Sequence, residues 1–226
     1  MQQSFDFVAA DIARWRDRLV PITDRGPLPR RRPVGQLVKS LISGRTRDAV
    51  SLAAYRRLRD RFGAAAEIAH APLPLIERTI ADVSFPEIKA DWLTAALRRI
   101  ESDRTDFNLD FLGTWPLGKA LAWLERLPGV GRKVAASALN ASTLAMPVLI
   151  VDSHVHRVLE RLGFVAAGAE PRTASEKATA ALPDWNGDDF LHFHIAMKRL
   201  GQTVCRFDAP DCAACPLAAD CPSRSD

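Results

Sequence analysis

Every cysteine of this chain falls in the stretch CRFDAPDCAACPLAADC, as Cys205, Cys212, Cys215 and Cys221, with six, two and five residues between them. Thiolates are soft metal ligands and redox-active nucleophiles, so four in one loop support three chemistries. They can close two disulfides, hold one zinc ion tetrahedrally, or wrap an iron–sulfur cluster. The intervals are not those of a duplicated CxxC knuckle.

A second candidate is LPGVGRK at 127–133. A helix is expected to end near Leu127, the chain to turn through Pro128, Gly129, Val130 and Gly131, and a new helix to start at about Arg132. Glycine permits backbone angles closed to other residues and lets a ligand approach the main chain. Amides of such a turn, with the new helix's dipole, can bind one phosphate. The same pattern also serves a plain tight turn between helices. Lys133 falls in the first turn of the new helix, where the positive dipole end disfavours an ammonium and burial would disfavour it further. A lysine so placed can act as a neutral amine, the form that a nucleophile or Schiff-base former needs. Asp152 stands between the apolar PVLIV and the helical SHVHRVLERL, which suits an N-cap. A carboxylate held there could also assist an amine or stabilise developing positive charge.

The elements that must position these groups are helical. Apolar residues recur three and four apart over 7–20, 34–42, 48–62, 73–83, 88–100, 117–127, 133–145, 153–163, 173–182 and 188–201. Thr173 and Glu176 fit a capping box opening the 173–182 segment. Breakers at 21–33 and 111–118 punctuate the series, no segment alternates as a strand does, and the tail from Cys205 is loop-like. An all-α protein follows. The H-x-H pairs His154/His156 and His192/His194 fall on helical segments, where neighbours two apart diverge by about 200° and do not readily share a metal. Trp92, Trp115 and Trp123 fit helix packing.

Composition narrows the setting. A hydrophobic fraction of 47% is that of an ordinary folded protein. The opening residues lack the basic and apolar regions of a secretory leader, and LAMPVLIV (144–151) is too short to span a bilayer. A soluble, cytoplasmic protein is expected, nucleoid-associated if bacterial, and there disulfides seldom persist. Residues 1–63 hold 14 Lys/Arg against 6 Asp/Glu, while the remainder is slightly acidic, and 25 of the 31 basic residues are arginine. Arginine-rich charge gathered in one third of the chain suits a polyanion, or simply a solvated surface.

Taken together, LISGRTRD (41–48), LPGVGRK, VDSHVHRV (151–158) and the cysteine tail resemble the helix-hairpin-helix DNA glycosylases, and within them the endonuclease III group. The likeness covers roughly residues 34–221. It implies a two-lobed helical fold with a C-terminal iron–sulfur loop. The expected segments are a basic N-terminal stretch (1–33) packing on the cluster lobe, a helical lobe ending in the hairpin (34–145), second-lobe helices (146–204) and the cluster loop and tail (205–226). By resemblance, Cys205, Cys212, Cys215 and Cys221 hold a 4Fe–4S cluster, with zinc the alternative. Lys133 and Asp152 are the catalytic pair. Gly129, Val130, Gly131 and Arg132 bind DNA at the hairpin, with Asp48 a further DNA-binding residue. The histidines read as residues of the core, of a phosphate contact or behind the site, His154 being the one expected near the DNA. Arg45 stands where the family usually has glutamine, beside the flipped base, and Phe85 stands where it has an intercalating leucine.

The implied activity is a base-excision glycosylase with abasic-site lyase activity, working as a monomer without a membrane. Its partner is double-stranded DNA carrying a damaged base or abasic site, damaged pyrimidines first. Uracil- or mismatch-directed excision, or a non-catalytic iron–sulfur DNA-binding protein, are the alternatives. The departures at Arg45 and Phe85 bear on which lesion is taken.

Overall fold

The structure, a computed structural model, describes residues 2–19 and 28–224, so most of the expected breaker at 21–33 lies outside the described residues. Eleven α-helices run through them, joined by turns and two short 3-10 segments, and the only β feature among them is an isolated bridge between Arg31 and Ser142. No helix is long and apolar enough to cross a membrane. Two compact units emerge: Arg30–Leu144, and Met1–Pro29 with Ala145–Asp226.

The Arg30–Leu144 unit holds α2 (Pro33–Ser43), α3 (Asp48–Phe62), α4 (Ala65–His70), α5 (Leu73–Thr79), α6 (Pro86–Asp103), α7 (Leu117–Glu125) and α8 (Arg132–Asn140). Helix α2 is the central one, packing on α3, α6 and α8. Its start is set by Pro33, whose fixed φ suits a first helical position. Its apolar face, with Leu37, Leu41 and Ile42, is buried. Against α8 it presents polar groups instead. Gln36 Nε2 donates to Ser137 Oγ at 2.9 Å, and the Ser40 and Ser137 hydroxyls lie 2.8 Å apart. Alanines at 135, 136 and 138 keep α8 slim where it packs.

Several boundaries differ from those expected. Helix α5 stops at Thr79 instead of 83, because Ile80 and Val83 are buried from a turn, which continues the apolar pattern without a helix. Helix α8 stops at Asn140 instead of 145. Beyond it the Thr143 amide donates to Arg31 O at 2.9 Å and Ser142 bridges Arg31, which leads the chain away from the helix axis. The short α4 carried too few residues to show a periodicity.

The other unit holds α1 (Gln2–Leu19), α9 (Ser153–Arg161), α10 (Pro171–Ala181), α11 (Gly187–Thr203) and the cysteine tail. Its core gathers Ile12, Trp15, Val155, Leu159, Phe190 and Phe193, and Cys205, Cys215 and Cys221 lie partly buried against it. Asp220 in the tail accepts from Arg18 Nη1 at 2.9 Å and from Arg14 Nε at 3.1 Å, tying α1 to the cysteine loop. The expected capping box at Thr173 and Glu176 is absent. Helix α10 opens earlier, at Pro171 with Glu170 as N-cap and no side-chain cap, so Thr173 is already inside the first turn. A capping box does open α11, where Asn186 and Asp189 bond each other's amides.

Candidate functional site

The turn between α7 and α8 is built from its backbone outward. Gly129 adopts φ +72, and a Cβ there would sit 2.6–2.7 Å from atoms of the Trp92 side chain. Glycine is therefore required twice over, by the left-handed conformation and by the indole on the turn. Gly131 differs: its φ of −89 and ψ of 179 suit any residue, and nothing lies within 4 Å of where its Cβ would be. Folding does not need glycine at 131, so the bare main chain there is left open to a ligand. Val130 is buried, and its amide closes the turn onto Leu127 O at 3.1 Å. That amide is consequently not an outward phosphate donor, contrary to the sequence expectation for the turn. Arg132 Nε donates to Glu125 Oε1 at 2.6 Å, an ion pair that staples α7 to α8.

Lys133, half-buried at the second position of α8, donates from Nζ to Ser43 Oγ at 2.8 Å, and Ser43 in turn donates to Ser40 O at 2.8 Å. Lys133 and Ser137 are four apart, on one face of α8, and Ser40 and Ser43 answer them from α2. The amine thus ends a buried polar seam rather than lying loose in solvent. Ser43 lies inside the quoted LISGRTRD, but its role could not be seen without knowing which helix faces it.

Beyond Ser43 the chain passes through Arg45, exposed and at φ +53, to α3, where exposed Asp48 is the first helical residue and suits the dipole. Phe85, N-cap of α6, adopts φ +57 and is 52% exposed. Phe85 is therefore not a core aromatic packed between helices. Left-handed conformation at a non-glycine residue costs on the order of 1 kcal/mol or more. Buried Lys89 holds the residues on either side of Arg45, donating from Nζ to Ile42 O at 2.9 Å, Gly44 O at 2.6 Å and Thr46 Oγ1 at 3.0 Å, while its own amide donates to Phe85 O at 3.1 Å.

In the other unit, Asp152 is the N-cap of α9, its Oδ1 accepting from the His154 and Val155 amides at 3.0 Å each. Its Oδ2 lies 3.8 Å from Lys198 Nζ. Burial pushes the Asp152 carboxyl up, but His194, the Val155 amide, Lys198 and His154 together bring it below its ordinary value. Capping therefore engages one oxygen, and an ionised second oxygen remains beside a lysine. The histidines diverge: His154 Nδ1 meets Arg157, His156 meets Ala169 O, His192 meets Asp188 O and His194 meets Ile150 O.

Helix α9 also holds the cysteine loop. Arg157 donates to Gly201 O at 2.6 Å and to Cys205 O at 3.0 Å, while Arg161 donates to Arg206 O at 2.7 Å and Phe207 O at 2.9 Å. All four cysteines are half-buried and unbridged. Burial pushes the Cys215 and Cys221 thiols up, and the sulfurs of Cys205 and Cys212 add to it. Thiols so raised are donors that a cationic metal centre would relieve. Among the described residues, no three His, Cys, Asp or Glu are grouped to hold one metal ion.

Residues 38–184 match the HhH-GPD superfamily of base excision DNA repair proteins, nearly two thirds of the chain. The chain belongs to that superfamily. Among its relatives is the chloroplastic endonuclease III homolog 2 of Arabidopsis thaliana, 28% identical over 198 residues, 86% of this chain and 49% of that protein. Endonuclease III of Thermotoga maritima is 29% identical over 189 residues, covering 84% of this chain and 82% of the relative. The chain spans about half the length of the Arabidopsis relatives it matches. Its fold is that of endonuclease III: the trapped endonuclease III–DNA covalent intermediate superimposes with a TM-score of 0.75 at 23% identity, covering 99% of this chain and 96% of the other. A thermostable thymine-DNA glycosylase gives a TM-score of 0.74 at 18% identity, covering 94% and 95%.

Two outcomes follow from this geometry. Gly129→Ala should lower Tm by about 4–8 °C, through the left-handed φ and the Trp92 contact, whereas Gly131→Ala should move it by less than about 2 °C; thermal unfolding of both variants checks the contrast. Asp152→Asn keeps the cap but removes the charge. The native carboxyl is depressed, so its stabilisation is complete above the unfolded value near 4 and is lost as pH falls through the native one. Melting of both forms should show a gap of about 1–4 °C between pH 5 and 6 that closes toward pH 2.

Proposed function

We propose that this chain is a DNA N-glycosylase with associated abasic-site lyase activity, acting in base excision repair on damaged pyrimidines in duplex DNA. The observation that carries the reading is Lys133, one residue past the open Gly131–Arg132 turn, with its amine held at 2.8 Å by Ser43. The turn would take a backbone phosphate at Gly131. A damaged nucleotide, rotated out of the duplex, would then present C1′ of its sugar.

The Lys133 amine, once deprotonated, attacks C1′. The C1′–Nζ bond forms, the glycosidic bond breaks, and its electron pair departs with the base, which takes up a proton. Ring opening gives an imine between Nζ and C1′. Loss of a proton from C2′ then expels the 3′ phosphate by β-elimination, and water returns the free amine. Asp152 has the character wanted of the supporting carboxylate, because its surroundings keep it ionised and its Oδ2 is not engaged in capping. It would stabilise positive charge developing on the sugar and assist deprotonation of the amine.

Cys205, Cys212, Cys215 and Cys221 would hold a 4Fe–4S cluster. It would supply a rigid cross-link for a loop with little core of its own, and zinc is the competing ligand for the same thiolates. The arginines of α9 already fix the loop's first turn.

Borohydride added to protein and abasic duplex reduces the imine to a stable amine, leaving a covalent adduct. The wild type should form it, and Lys133→Gln should lose adduct and strand cleavage while DNA affinity falls less than about threefold, one charge being a small part of the footprint. A normal adduct from Lys133→Gln would overturn the assignment. Binding without adduct or base release by the wild type would favour the non-catalytic DNA-binding reading. Metal analysis of anaerobically purified protein should find about four irons per chain, and a fully active preparation carrying one zinc instead would overturn the cluster.

A further inference from the structure

Residues 42–46, at the end of α2 and in the loop before α3, are far in sequence from Ser84 and Lys89 at the start of α6, yet five hydrogen bonds join them. Three come from Lys89 Nζ, to Ile42 O, Gly44 O and Thr46 Oγ1. Two come from Ser84, whose amide donates to Thr46 Oγ1 at 3.1 Å and whose hydroxyl donates to Arg45 O at 2.7 Å. An ammonium has three N–H donors, and each finds an oxygen. Ile42 O and Gly44 O are carbonyls that the end of α2 leaves without a helical partner, so Lys89 caps α2 from another helix.

Capping alone does not call for a buried lysine. Water caps exposed helix ends, and Lys89 is only 4% exposed, with burial lowering it to about 8. What the arrangement adds is the setting of its two flanks. Arg45 and Phe85, each bonded or adjacent to a Ser84 or Lys89 contact, are two of four non-glycine residues with positive φ among the described residues. Both side chains project exposed from loops that this one cluster locks together. Residues held in unfavourable conformations, with large side chains left in solvent, are preset for a partner rather than for the core.

We propose that Lys89 is a positioning residue that locks Arg45 and Phe85 into one preset tip, which enters the duplex where the nucleotide is rotated out. The inference rests on the glycosylase reading and adds the device by which extrusion is assisted. Because the tip is ordered before DNA arrives, opening the duplex does not also have to order two loops. Lys89 itself touches no DNA and takes no part in the chemistry at Lys133.

The test separates extrusion from chemistry. Lys89→Met should slow single-turnover excision from duplex DNA about tenfold or more, and remove the fluorescence rise of 2-aminopurine placed beside the lesion. Borohydride trapping on an abasic site in single-stranded DNA, where no stack has to be opened, should stay within about twofold of wild type. Thr46→Val, which loses the shared acceptor, should shift the duplex-to-single-strand ratio in the same direction, and Thr46→Ser should restore it. If Lys89→Met does not fold, the Thr46 pair decides. An equal loss on both substrates that follows Tm, or an unchanged ratio in the variants, overturns the proposal. Absence of trapping by the wild type overturns the glycosylase reading beneath it instead, so the two failures are distinguishable.

Discussion

The polar seam between α2 and α8 is the constraint on which the Arg30–Leu144 unit depends. Gln36, Ser40 and Ser43 on α2 face Ser137 and Lys133 on α8, inside a unit whose other helix contacts are largely apolar. Apolar packing has no strong preference of register, since dispersion and area burial vary smoothly as helices slide. Hydrogen bonds between buried hydroxyls do not, because a shift of one residue would leave a buried donor unsatisfied at a cost of about 1–3 kcal/mol. The inner pair, Ser40 and Ser137, therefore fixes the register in which the outer pair, Ser43 and Lys133, meets. The Lys133 amine is placed through serines a turn away on both helices. Continuing along α2, the same helix delivers its last carbonyls to Lys89, so placement of Lys133 and shaping of the Arg45 loop are consequences of one helix being held in one position.

Helix α9 plays the corresponding part in the other unit. Its first turn is closed by Asp152, and its second and third turns carry Arg157 and Arg161, which hold main-chain carbonyls at Gly201 and from Cys205 to Phe207. Arginine suits this work because its planar fork can serve several carbonyls at once. Asp220, held by Arg14 and Arg18, extends the bracing to α1.

How much of this was legible in the sequence follows from the range of each signal. Local signals read well: the proline–glycine turn before Lys133, the N-cap at Asp152 and most helices depend on neighbours within a turn or two. Signals that need a tertiary partner did not. Ser43 and Lys89 are ordinary residues until α2 is known to face α8 and α6, and Arg157 and Arg161 look like solvated charge until the cysteine loop passes over them. Periodicity overshot at α5 and α8 because buried loop residues such as Ile80 and Val83 prolong an apolar pattern that no helix continues. The Thr173–Glu176 pair matched a capping box in composition, but Pro171 had already started the helix.

Net charge shows the same limit. The excess of arginine in residues 1–63 suited a polyanion or a solvated surface, and not all of that charge is free to meet a polyanion. Arg14 and Arg18 are paired with Asp220, and Arg57 is paired with Asp82, which lies outside that stretch. Arg132, expected at the DNA, is paired with Glu125 in a mostly buried bridge. An arginine engaged by a carboxylate contributes little to the long-range field and must break its pair to meet a phosphate. The turn before α8 therefore has less side-chain charge to draw on than its sequence advertises. What the turn offers an anion is then its bare main chain at Gly131, where nothing lies within 4 Å of a Cβ, and the start of the α8 dipole, rather than the arginine that follows.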